Sequence, residues 1–116
     1  MKSFGSVIHK GKRICVVDIS NSKLYDAIKV LQDGQNQISK LTPKSALILS
    51  DITDSTNSTS AIKEFISHNT PYVKAFAVVG AKRLRVLFLK TISVLIGREI
   101  KSFKNRNEAL DWLATK

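Results

Sequence analysis

Apolar and polar positions fall into blocks whose spacing changes along the chain. Ser6 to Lys10 and Lys12 to Ile19 read as two strands around Gly11, a hairpin pattern. The second run, Ile14-Cys15-Val16-Val17-Asp18-Ile19, is almost continuously apolar, as a strand covered on both faces requires. Ser20-Asn21-Ser22 offers N-cap side chains, after which Leu24, Ile28, Leu31 and Ile38 recur at helical spacing, with Asp33-Gly34 a weak point. Pro43 ends that segment, and Ala46-Leu47-Ile48-Leu49 reads as a second buried strand. Asp51 to Ser60 is small or polar apart from one Ile, and a short helix follows with Ile62, Phe65 and Ile66 inward, closed by Pro71. Tyr72 to Val79 is the next strand, and Gly80 turns the chain into a long helix, Ala81 to Ile96. A strand at Glu99 to Phe103 and a helix from Asn105 to Thr115 complete the pattern. The order β-β-α-β-α-β-α-β-α predicts an α/β fold with four helices. Its five-stranded sheet is mixed but mainly parallel, the hairpin giving an antiparallel edge.

Length bounds this to one domain over 1–116, since a second core would leave both too small. A single Cys rules out an intramolecular disulfide, and one Cys with two His argues against a structural zinc site. Gly80-Ala81-Lys82-Arg83 has one glycine where a phosphate or dinucleotide loop has several, so neither a cofactor nor a metal is expected. No apolar run approaches the ~20 residues of a membrane span. Met1 to Gly11 lacks the apolar core of a secretory signal. The expectation is a cytoplasmic protein without a transmembrane segment.

Five stretches carry a resemblance. They are Pro71-Tyr72-Val73-Lys74-Ala75-Phe76-Ala77-Val78-Val79-Gly80, Asp18-Ile19-Ser20, Pro43-Lys44-Ser45 leading into Leu49-Ser50-Asp51-Ile52-Thr53, Gly97-Arg98, and Phe103 before Asn107 to Leu113. Together they resemble the SpoIIAA-like family of small bacterial proteins, grouped with STAS and CRAL-TRIO domains, over roughly Gly11 to Leu113. The resemblance implies a STAS-like α/β layer fold, which does not by itself fix a function. STAS antagonists carry a phosphorylatable Ser in an Asp-Ser-Ser-Gly pattern after the third strand. Asp54-Ser55-Thr56-Asn57 stands in that place, with Thr56 and Asn57 where the pattern has Ser and Gly. The resemblance therefore makes Ser55 a candidate phosphorylation site, while the same residues also read as plain helix caps.

Ligands of open parallel sheets gather beyond the strands' carboxyl ends. Asp18, Ser20, Asp51, Thr53, Asp54, Ser55 and Lys82 all fall at such ends and form the candidate ligand or regulatory crevice. Strand-end caps collect the same residue types. Asp18 stands out because it interrupts an apolar strand, where a carboxylate must be paired or hydrogen-bonded. Lys74 interrupts another strand at its opposite end and is expected to reach solvent along its methylenes.

Catalysis finds little support. Cys15 lies mid-strand like a small buried hydrophobe, and neither His9 nor His68 has a carboxylate at evident spacing to orient it. A small enzyme using Cys15 or a His is kept as an alternative. The charge is +10, and nine Lys or Arg but one acid, Glu99, lie between Tyr72 and Arg106. That footprint suits a basic module binding nucleic acid or an anionic membrane, a further alternative. Nucleic acid is disfavoured, since the aromatic rings that stack on bases are missing from the one strand that echoes such a motif.

The Ala81 to Ile96 helix is apolar over roughly 220°, against the about 100° that one sheet face requires. Leu84, Leu87, Phe88 and Ile92 with Leu95 centre that arc; Val94 widens one side, Leu89 and Ile96 the other. The helix at Asn105 to Thr115 is the simplest cover, then a homodimer or protein partner, then a lipid or other small hydrophobic ligand. Leu84, Leu87, Phe88, Leu89, Ile92 and Ile96 are accordingly the candidate interface or lipid face. The reading as a whole is a non-enzymatic regulatory or ligand-binding module.

Overall fold

The computed structural model describes residues 3–55 and 59–116, without the side chains of residues 3, 24, 25 and 59–62. Strands β1 (Ser3–His9) and β2 (Lys12–Asp18) pair antiparallel. Lys10 and Gly11 join them, both at positive φ (50° and 80°), the backbone that matches a two-residue turn to strand twist. Helix α1 (Leu24–Ile38), β3 (Ala46–Asp51), α2 (Thr59–Asn69), a 3-10 turn (Thr70–Tyr72) and β4 (Val73–Val79) follow. Helix α3 (Arg83–Ile96), β5 (Glu99–Phe103) and α4 (Arg106–Ala114) complete the order. The sheet runs β1-β2-β3-β4-β5, with β2 to β5 parallel.

This is the five-stranded α/β architecture that the apolar pattern predicts, with local differences. The first strand begins at Ser3 rather than Ser6. Helix α1 runs unbroken through Asp33-Gly34, because Gly34 is buried where the Phe4 ring approaches; a Cβ there would meet Phe4 Cδ1 at 3.0 Å. Ile28 is exposed, and α1 buries Ala27, Val30, Leu31 and Ile38 instead. Ile62, expected inward, lies outside the described side chains, as do Leu24 and the candidate caps Thr56 to Ser60.

Alternation along the strands builds two cores. On one face Cys15, Val17, Ile48, Phe76 and Val78 meet α1, α2 and α3. On the other Ile14, Leu47, Leu49, Ala75, Ala77 and Val79 meet Ala109 and Leu113 of α4. The small side chains of Ala75 and Ala77 leave room for α4 against the middle of the sheet. A register shift at Ala46/Leu47, opposite Lys74, lets both Val73 and Phe76 reach the three-helix face. Lys74 is exposed, and its ammonium donates to the backbone oxygen of Lys116.

Candidate functional site

Two adjacent strands end in the same way. Asp18-Ile19-Ser20-Asn21 leaves β2 and Asp51-Ile52-Thr53-Asp54 leaves β3. In the first, Asp18 Oδ1 accepts from the Ser20 amide (3.0 Å) and the Ser20 hydroxyl (2.7 Å). In the second, Asp51 Oδ1 accepts from the Thr53 amide (3.1 Å) and the Thr53 hydroxyl (2.7 Å). The fourth residue of each takes positive φ, 55° at Asn21 and 51° at Asp54, which Asn and Asp tolerate best after Gly. The loops are zipped together by Ile19 N–H to Asp51 O (3.0 Å) and Asn21 N–H to Thr53 O (2.7 Å).

The remaining carboxylate oxygens converge on one cation. Arg106 donates through Nε to Asp51 Oδ2 (2.8 Å) and through Nη2 to Asp18 Oδ2 (3.1 Å). Asn105 fixes its position by capping α4, its Oδ1 accepting from the Glu108 amide at 2.9 Å. Burial works to raise the Asp18 pKa, but the two Ser20 bonds and Arg106 outweigh it, and the carboxyl lies below its usual value. For Arg106 burial pulls downward and the two aspartates pull further upward, so its charge is held. Arg106 was not among the candidates. Its signal was the repeated Asp-Ile-Ser/Thr, two carboxylates on neighbouring strand ends that need a shared cation.

The seven expected crevice residues thus separate into two places. The strand order never reverses, so the crevice of a doubly wound sheet does not open. Asp18, Ser20, Asp51 and Thr53 are tied into the Arg106 clamp at the α4 side. Asp54, Ser55 and Lys82 line a pocket of about 200 Å³ with Ile52, Gly80, Leu84 and Arg85 on the three-helix side. Gly80 makes the wall there: its φ is 85°, and a Cβ would lie 2.2 Å from Thr53 Oγ1. The Ser55 amide donates to Ile52 O at 3.1 Å, while its Oγ has no hydrogen-bond partner among the described residues. Lys82 precedes α3, whose first turn holds no acid and no side-chain cap.

Helix α3 is turned differently from the expected phase. Leu89 and Ile92 are core residues, and Phe88 and Ile96 pack against the same core. Of the six residues assigned to an interface, only Leu84 and Leu87 face outward, at 82% and 56% exposure; Val94 (82%) and Leu95 (72%) join them. The expected cover is also absent, since α4 packs on the opposite face of the sheet. Beneath the helices, the apolar cavity bounded by Ile19, Leu31, Phe65 and Phe76 holds about 20 Å³. That suits one water, not an acyl chain.

Cys15 is buried on the three-helix face, and burial pushes its thiol pKa up. His9 does gain a carboxylate that the sequence spacing hid: its Nε2 meets Asp111 Oδ1 at 2.7 Å, beside Lys10 at 3.1 Å. That pair sits on the α4 side, across the sheet from Cys15. No cluster of three metal-ligating side chains occurs among the described residues, nor a helix long and apolar enough to cross a membrane.

A family model described as SpoIIAA-like matches residues 13–114. No curated protein matches the chain significantly. Among solved structures, an uncharacterised DUF3478-family protein with a SpoIIAA-like fold from Shewanella loihica PV-4 superposes with a TM-score of 0.76 at 18% identity, over 96% of this chain and 92% of that one. An anti-sigma-factor antagonist (STAS) domain protein from Planctomyces limnophilus superposes with a TM-score of 0.64 at 14% identity, over 97% and 98%. At these identities the likeness is one of fold.

Proposed function

Since the chain belongs to the SpoIIAA-like family, we propose that it is a non-catalytic regulatory module whose switch is the Asp54–Ser55–Lys82 pocket. One observation carries this reading: Ser55, whose hydroxyl has no hydrogen-bond partner among the described residues, lines an open pocket of about 200 Å³ together with Lys82. An occupant that accepts from this hydroxyl would satisfy it. Lys82 favours an anionic occupant. The group is either a phosphate or carboxylate brought by a ligand or partner protein, or a phosphate carried by Ser55 itself. A phosphoserine there would place negative charge beside Lys82 and next to Asp54, one attractive and one repulsive neighbour, which is the balance a switch between two binding states needs. The anti-sigma-factor antagonist named among the structural neighbours is compatible with such a role.

Mass spectrometry of protein purified from its native host tests the reading, under native conditions and after denaturation. An adduct lost on denaturation identifies a bound ligand, and a covalent phosphate mapped to Ser55 identifies the switch. A bare chain, together with amide NMR shifts around Ser55 and Lys82 that do not move on titration with inorganic phosphate, would sink the proposal.

A further inference from the structure

The sheet has two edges, and they are finished differently. Edge strand β5 is five residues long and carries exposed Glu99 and Lys101, charges that keep a foreign strand away. Edge strand β1 is seven residues long, and from Ser3 to Ile8 it holds no charged residue and no proline. Its outer side pairs with no strand among the described residues. Val7 and Ile8 of this strand are exposed, at 42% and 66%. Beside it, on the three-helix face, Phe4, Gln37 and Leu41 line an open groove of about 330 Å³. On the opposite face, a Cβ built at Gly5 would meet nothing within 4 Å.

The strand complements itself. Phe4, Ser6 and Ile8 alternate onto the three-helix face, opposite Val17, Cys15 and Arg13 of β2, while Gly5 and Val7 turn to the α4 side, opposite Val16 and Ile14. An antiparallel twofold pairing centred on Ser6 sets Phe4 against Ile8 of a second copy, Gly5 against Val7, and Ser6 against Ser6. Each protruding aliphatic side chain then meets a hollow: Ile8 enters the groove beside Phe4 and Leu41, and Val7 covers the open face of Gly5. Charge selects this edge over the rest of the surface. Two copies at +10 repel, but the paired segments are neutral. The twofold also sends the basic hairpin turns to opposite ends of the ribbon, with the two Lys10 residues about 26 Å apart along it. Each turn falls at the end where β2 of the other copy carries Asp18. We infer that β1 is the interface at which a second copy of this chain adds its own β1, giving one ten-stranded sheet with both three-helix faces on the same side. The inference does not rest on the Ser55 pocket.

Sedimentation velocity of the full chain over a range of concentrations tests it. The expected species is a dimer, tightening as salt screens the net charge. Ile8→Lys weakens dimerisation at least about tenfold by setting a cation in the paired edge, while the circular dichroism spectrum holds because Ile8 is exposed. Ser55→Ala, and Leu84→Ser with Leu95→Ser, leave the dimer unchanged. Ser6→Cys reads the register, in a Cys15→Ala background because Cys15 lies opposite Ser6 on β2. Facing positions of an antiparallel pair have Cα atoms about 4.5–5.5 Å apart, within disulfide reach, so mild oxidation crosslinks two copies. Ile8→Cys in the same background does not crosslink, since each Ile8 faces Phe4 of the other copy. Four results would each overturn the inference: a monomer at every concentration, undiminished dimerisation by Ile8→Lys, a dimer dissociated by Leu84→Ser with Leu95→Ser, or crosslinking of the Ile8→Cys chain in place of the Ser6→Cys chain.

Discussion

Asp18 and Asp51 are register partners at the carboxyl ends of β2 and β3, and Arg106 spans their outer oxygens. Two carboxylates side by side repel, so the cation reaching across from α4 is what lets both strand ends share this geometry. Arg106→Ala is expected to destabilise the fold by about 1–2 kcal/mol, less than the 3–5 of a fully buried pair because Arg106 is 44% exposed. Urea unfolding measures it. Adding Asp18→Asn should recover part of the loss by removing the repulsion.

Acid sensitivity follows from Asp18. Its folded pKa is depressed, so the stabilisation is present above the unfolded value near 3.9 and drains away as pH falls through the folded value. Melting curves from neutral pH down to pH ~2 should therefore show an acid limb below about pH 4 that is shallower in Asp18→Asn. An unchanged limb would mean that Asp18 titrates normally.

Gly80 is irreplaceable on two counts. A side chain there would be strained at φ 85° and would strike Thr53, whose Cα lies 2.7 Å from the ideal Cβ position. Gly80→Ala is expected to cost about 2–4 kcal/mol in thermal or urea unfolding. Thr53→Ala in the same chain should recover little, because the collision with the Thr53 main chain persists.

At Gly34 two effects oppose each other. Alanine in place of a helix-interior glycine stabilises by about 1 kcal/mol, but its Cβ would press on Phe4 Cδ1 at 3.0 Å. Gly34→Ala should be near neutral in the wild-type chain and stabilising by about 1 kcal/mol in a Phe4→Ala background. A double-mutant cycle reads the coupling.

Buried Cys15 should resist iodoacetamide in the folded protein and react promptly once denatured, since burial both shields the thiol and disfavours the thiolate. Fast labelling of the native chain would reopen the possibility of thiol chemistry.

The central strands were legible because each is a short apolar run closed by Pro, Gly or small polar residues, and β5 lies where the pattern puts a short strand, around Glu99 to Phe103. Asp18 was legible as a residue needing a partner because it breaks such a run. The partner was not, because Arg106 lies 55 residues beyond Asp51 and only the packing of α4 on the far sheet face brings them together. His9 and Asp111 were missed for the same reason. The phase of α3 failed on different grounds. A helix apolar around most of its circumference gives periodicity no preferred direction, so burial was decided by its place beside the edge strand β5, where Phe88, Leu89, Ile92 and Ile96 find cover.

Placing α4 alone on its side of the sheet has a consequence during synthesis. Strands β2 to β5 lie in the sheet in the order they occur in the chain, and α1, α2 and α3 all cover one face. The other face depends on the last of these elements to leave the ribosome. A chain ending before α4 would lack the cover of Leu47, Leu49, Ala77 and Val79 and the ties that Arg106 and Asp111 make to the strand ends and the hairpin. Apolar surface left open in this way is what favours aggregation and chaperone capture.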